Sequence, residues 1–183
     1  MTDLRMVHPG PLPRERRPAR DTAVRLRPAT EQDAERLTGL LAEAFAPDLW
    51  DGARTHRELL DPPDVVRIWL AERDGELLGT ASEKVMTYGT GAYGYLHWVA
   101  SAPRARGLGI GGAVTSAVLV GFAEAGLAHA VLHTDDARIP ALGMYLGFGF
   151  QPDPRTAEET AAWAHVLRTL DLPADLARRT PGD

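Results

Sequence analysis

The 183-residue chain contains no cysteine, which excludes disulfide bridges and thiolate nucleophiles. Lys84 is its one lysine, so nearly all of its positive charge is guanidinium. No lysine therefore follows the glycine cluster at 107–112, which excludes a phosphate loop of the Gly-x-x-x-x-Gly-Lys type. No apolar run is long enough to span a bilayer, and Arg16-Arg17 is not followed by the apolar stretch of a signal peptide. The expectation is a cytoplasmic protein with no membrane partner. A net charge of −5 offers no general attraction to nucleic acid.

What is present suits one domain. At 44% hydrophobic, the chain can bury one α/β core but not two comfortable ones. Residues 1–22 are rich in Pro and Arg without periodicity and read as a flexible tail. Order is expected over 23–171, with a second tail over 172–183. Val24 to Arg27 alternates as a short strand, and Pro28 ends it. Thr30 with Asp33 then caps a helix from about Glu31 to Phe45. A second short helix is expected over Ala53 to Leu60. Val65–Glu72 and Leu77–Met86 flank Asp74-Gly75, a two-residue hairpin signal. Tyr93 to Ser101 is another strand, with Tyr93, Tyr95 and His97 on one face. A long apolar helix over Ala113–Ala125, a strand at Ala130–Thr134, a helix at Ile139–Leu146 and a strand starting at Phe148 follow. Thr156 with Glu159 opens an extra C-terminal helix.

The segment Pro103-Arg-Ala-Arg-Gly-Leu-Gly-Ile-Gly-Gly112 carries the chemistry. Glycines 107, 109, 111 and 112 let a backbone turn tightly against a ligand. The amides that follow open a helix, where unpaired N–H groups and the positive end of the dipole favour phosphate. Arg104 and Arg106 add charge, and a diphosphate is the matching ligand. Gly107-x-Gly109-x-x-Gly112 also fits a dinucleotide turn, but the acidic residue expected about twenty positions on is not convincingly placed.

With that helix in place the chain resembles the GNAT family, the Gcn5-related N-acetyltransferases, over residues 24–150. Three stretches carry the resemblance. Val24 to Ala34 is similar to the family's opening strand and helix start. Arg106-Gly107-Leu108-Gly109-Ile110-Gly111 resembles its acetyl-CoA motif, and Arg104-x-x-Gly107-x-Gly109 satisfies the same pattern two residues earlier. Ala141-Leu-Gly-Met-Tyr145-Leu-Gly-Phe-Gly-Phe150 resembles its late Ala-x-x-x-Tyr-x-x-x-Gly-Phe pattern. The implied fold is α/β, a mixed central sheet flanked by helices.

The resemblance implies transfer of acetyl from acetyl-CoA to a primary amine of a small molecule, by direct attack in a ternary complex and without a metal. It places Val99, Ala100, Ser101, Arg104, Arg106, Gly107, Leu108, Gly109, Ile110, Gly111, Gly112 and Arg138 at the cofactor. Tyr145 is the implied general acid, and a half-buried core tyrosine is the alternative. The base is open between His97, which titrates near neutrality when unperturbed, Glu83 on the neighbouring strand, and a water chain. His133 is a weaker candidate. Phe45, Trp50, Tyr93 and Tyr95 are expected to line the acceptor site. A homodimer paired at a sheet edge is left open, as are other acyl-CoA chemistry and a CoA-binding module without catalysis.

Overall fold

The computed structural model describes residues 1–46, 49–89 and 91–178. Seven strands form one sheet in the order β2-β3-β4-β5-β6-β1-β7. Strands β3 (Val65–Arg73), β4 (Glu76–Tyr88) and β5 (Gly91–Ser101) make an antiparallel meander, with β2 (Arg25–Pro28) on the edge of β3. The first hairpin turns at Asp74-Gly75, where φ is positive at both residues, as a tight type I′ connection requires. The second half of the sheet begins where β6 (Ala130–Asp135) lies parallel to β5.

The expected tail over 1–22 is corrected by the structure. Asp3–His8 forms β1, antiparallel to β6 along its length and paired with β7 (Gln151–Pro152) on its other side. Leu4 and Met6 are fully buried, so this strand is part of the core. The alternation Leu4-x-Met6-x-His8 carries the period of a strand, but the Pro- and Arg-rich run after it obscured that signal. At the other end, Ala174–Arg178 forms a short 3-10 turn, with Leu176 and Ala177 packed on the core. Only residues 179–183 of the expected second tail lie outside the described residues.

Helices flank the sheet. After a 3-10 turn at Glu31–Asp33, α1 (Ala34–Ala44) packs on β4 and β5 through Leu37, Leu40 and Leu41. Its start is clamped, because Asp33 Oδ2 accepts from the Thr30 N–H at 2.9 Å and Arg27 Nη2 donates to Asp33 Oδ1 at 2.7 Å. These donors hold the Asp33 carboxyl far below the usual range, with the Arg27 contact the largest cause. Helix α2 (Gly52–Thr55) continues as a π turn over His56–Leu60. Helix α3 (Ile110–Glu124) is apolar on nearly every side and buried, as such a helix must be. Helix α4 (Ile139–Gly147) and helix α5 (Ala157–Thr169) complete the shell. Phe148 to Phe150 form a turn and not the start of a strand, since β7 begins only at Gln151.

Candidate active site

The site exists because β5 and β6 separate. They pair only at Gly94–Ala130 and Tyr95–Val131, and β5 then runs on to Ser101 without its neighbour. A bulge sharpens the separation. Thr80 faces Ala100 and Ser82 faces His97, so Trp98 and Val99 together oppose Ala81. Trp98 takes φ 46°, a left-handed conformation uncommon for a bulky residue, and Ser82 Oγ holds the bulge by donating to His97 O at 2.9 Å. A cleft of about 960 Å³ opens there. It runs from the bulge past Val99, Ala100 and Ser101 to the glycine turn before α3, with α4 as its opposite wall.

The glycine turn is built as an anion cradle. Gly109 has φ 75°, which a glycine adopts without strain, and directly precedes α3. The Leu108 N–H bonds back to Ala105 O at 3.2 Å, and the Ala113 N–H to Gly109 O at 3.0 Å. The amides of Ile110, Gly111 and Gly112 between them belong to the first helical turn, which has no intrahelical acceptors. A Cβ on Gly111 would stand 3.5 Å from Ser101 Oγ and 3.4 Å from Met144 Sδ, so bulk there would narrow the channel between the turn and both walls. The turn fits a phosphate, and the lengthening cleft fits the chain attached to one.

Most of the residues expected at the cofactor do line this cleft: Val99, Ala100, Ser101, Arg106, Gly107, Gly109, Ile110, Gly111, Gly112 and Arg138. Arg104 does not. It pairs with Glu43 at 2.7 Å and Glu76 at 3.6 Å and donates to Leu77 O, so its charge is spent on the surface. Leu108 also lies outside the lining, its carbonyl accepting from the Arg20 N–H at 2.9 Å. Arg138 donates to Asp135 at 2.8 Å while its guanidinium lies 4.8 Å from the centre of the Phe45 ring.

The three catalytic candidates separate. Tyr145 is 6% exposed, lines the cleft, and its hydroxyl has no hydrogen-bond partner among the described residues. Burial pushes its phenol well above the ordinary value, so it keeps its proton. His97 lines the cleft too, but burial, reinforced by the Lys84 ammonium, lowers its pKa to about 4. The expected near-neutral titration is therefore corrected: the imidazole is neutral at pH 7, and its Nδ1 is buried without a partner among the described residues. Glu83 lies outside the cleft, buried on the α3 side of the sheet. Trp69 Nε1 donates to it at 2.6 Å, and desolvation raises its pKa.

Of the expected acceptor-side residues, Phe45 and Tyr95 line the cleft. Tyr95 OH lies 3.0 Å from His133 Nδ1, and both side chains face the opening. Tyr93 does not reach it and stacks on His129. Trp50 is buried behind the wall, against Phe45 and Trp98, with Nε1 donating to Thr55 Oγ1 at 2.9 Å. Sequence reasoning missed Trp98, whose left-handed backbone has no local signal. It also missed Met144 and Phe148, which line the cleft, and Arg17 and Arg20, which had been assigned to the tail.

Residues 31–150 match the model of the acetyltransferase (GNAT) family. Among curated relatives, the mycothiol acetyltransferase of Stackebrandtia nassauensis is 34% identical over 126 residues, covering 65% of this chain and 41% of that protein. The mycothiol acetyltransferase of Acidothermus cellulolyticus is 32% identical over 144 residues, covering 68% and 43%. The chain thus spans about two fifths of the length of the curated relatives it matches. Among solved structures, a GCN5-related N-acetyltransferase from Sphaerobacter thermophilus superimposes with TM-score 0.64 at 19% identity, over 82% of this chain and 48% of that one. AAC(6′)-Iy, held with the bisubstrate analogue CoA-S-monomethyl-acetylneamine, superimposes with TM-score 0.61 at 18% identity, over 73% and 94%. At these identities the structural likeness speaks for the fold alone.

Proposed function

The chain belongs to the acetyltransferase (GNAT) family, and from that premise we propose that it transfers the acetyl group of acetyl-CoA to a primary amine of a small molecule, by direct attack in a ternary complex. One observation carries the reading: a single cleft joins a glycine turn at one end to a strand bulge and Tyr145 at the other, a largely buried tyrosine whose hydroxyl has no hydrogen-bond partner among the described residues. The names of the curated relatives favour a small-molecule acceptor over a protein.

Acetyl-CoA supplies an activated acyl thioester. The residues of this chain do the rest. The amides of Ile110, Gly111 and Gly112, with Arg106, hold the diphosphate end. The bulge at Trp98-Val99 interrupts the pairing of β5 with β4 beside the cleft, and a backbone N–H that it frees from the ladder polarises the reacting carbonyl. The Tyr145 hydroxyl, kept protonated by burial, donates to the departing sulfur. Neutral His97 accepts a hydrogen bond from the incoming amine or from a water beside it. With a pKa of about 4 it is too weak to hold the amine's proton, so the proton passes on to solvent through the open cleft. Holding both ligands in attack geometry contributes several kcal/mol, roughly 7–11 in ideal cases.

The test is calorimetric titration of the wild-type protein and of Gly111→Glu with acetyl-CoA, followed by an amine panel read by released thiol and product mass. Micromolar binding by the wild type, abolished by the added carboxylate, and an acetyl mass gain on an amine are the expected results. A wild-type protein that binds no acetyl-CoA would sink the reading.

A further inference from the structure

We infer that residues 9–22 form a strap across the mouth of the cleft, and that its Arg17 and Arg20 join Arg106 in holding the phosphate groups at the nucleotide end of coenzyme A. This rests on the acetyl-CoA reading above. It adds a phosphate-binding element contributed from outside the matched residues 31–150.

The strap is an ordered part of the fold. Its ends are anchored by β1 on one side and by Asp21, which accepts from Arg73 Nη1 at 2.8 Å, on the other. Its own Leu12 and Ala19 are buried. Two main-chain bonds fix its path over the phosphate turn. The Arg17 N–H donates to Ser116 Oγ of α3 at 2.7 Å, and the Arg20 N–H donates to Leu108 O at 2.9 Å. Arg20 lies so close to the turn that a Cβ on Gly109 would come within 3.0 Å of its nitrogen. The strap is thus seated on the turn that the proposed diphosphate uses.

Its two arginines border the cleft without a carboxylate partner among the described residues. Arg17 and Arg20 both line the cleft with Arg106 and the glycine turn. The Arg17 guanidinium is held 4.4 Å from the centre of the Phe148 ring, with Nη1 3.3 Å from Gly147 O at the end of α4. Arg17, Arg20 and Arg106 form no ion pair among the described residues, although acids outnumber bases 25 to 20 and arginines elsewhere find carboxylates readily. Three arginines that line one cleft with the helix-opening amides, none of them in an ion pair among the described residues, suit a multiply charged anion. Capping the α4 carbonyls accounts for Arg17 in part, but not for Arg20 or for the missing counter-ions.

Isothermal titration with CoA itself tests this on three full-length proteins: the wild type, Arg17→Gln/Arg20→Gln and Arg17→Lys/Arg20→Lys. Each is titrated at low and high salt, with the ligand-free melting temperature as a check on folding. The Gln variant should melt like the wild type, bind CoA about tenfold or more weakly, and show a flatter salt dependence, since hydrogen bonds to charged groups are worth this much. The Lys variant should keep most of the affinity and most of the salt dependence. Wild-type binding matched in strength and salt dependence by the Gln variant would overturn the strap's role while leaving the acetyl-CoA reading intact. Equal losses in the Gln and Lys variants would overturn the role of charge in the same way. A wild type that fails to bind CoA overturns both readings together.

Discussion

Tyr145 and His97 show how far burial reshapes side chains whose positions in the sequence are plain. Both line the cleft, and in both desolvation disfavours the charged form: it holds the proton on the phenol and keeps it off the imidazole. Tyr145 is thereby suited to donate, and His97 to accept a hydrogen bond without becoming cationic. Tyr145→Phe keeps the ring in its place against Phe150, 5.9 Å between centroids, and removes only the hydroxyl. We expect it to lower kcat by about a hundredfold, the scale of a single general acid, with little change in the KM for acetyl-CoA. Steady-state kinetics on the best amine checks this, and an unchanged kcat would return Tyr145 to a packing role. Glu83 and Arg104, by contrast, have partners already, in Trp69 and in Glu43 with Glu76.

At the scale of elements, the fit of α3 against the sheet decides what Glu83 does. A Cβ on Gly121 would overlap the Glu83 carboxylate, so either the helix or the carboxylate, which Trp69 Nε1 holds at 2.6 Å, must shift. Gly121→Ala should therefore destabilise by about 1–3 kcal/mol, as overpacking does, despite alanine's better helix propensity. Made in a Glu83→Ala background, where the space is empty, the same change should be neutral or stabilising. Thermal or urea denaturation of the cycle reads the coupling directly, and simple additivity would rule out the contact as the cause. The bulge on β5 is the other element-scale decision. It needs two residues opposite Ala81, a matter of register between strands that neither strand's composition reveals.

Across the whole molecule, the N-terminal strand closes the sheet between β6 and β7 and delivers residues 9–22 to the glycine turn. Met6 is fully buried and pairs with Leu132 on one side and Pro152 on the other. Met6→Ala should cost about 2–5 kcal/mol, the range for truncating a core side chain. A substitution in a mobile tail would cost nothing, so the melting temperature separates the two cases. Among the described residues no helix is long and apolar enough to cross a membrane. The edges of the sheet are the short strands β2 and β7, the latter only Gln151–Pro152.

The sequence by itself determined the local pieces. The Asp74-Gly75 hairpin, the apolar period of α3, the glycine turn with Arg106 and the Tyr145 helix are all written in neighbouring residues. Their spacing in order along the chain was enough to indicate the family. Only the tertiary structure decided which charges reach the cleft. Arg104 and Arg106 are two positions apart, yet one is drawn off by Glu43 and Glu76 from distant elements and the other is left facing the anion turn. Arg17 and Arg20 lie roughly ninety residues from that turn in sequence and reach it only through β1 and the bonds to Ser116 and Leu108. Periodicity and motif spacing are local quantities. Burial, strand register and the pairing of charges depend on which distant residues the fold brings together.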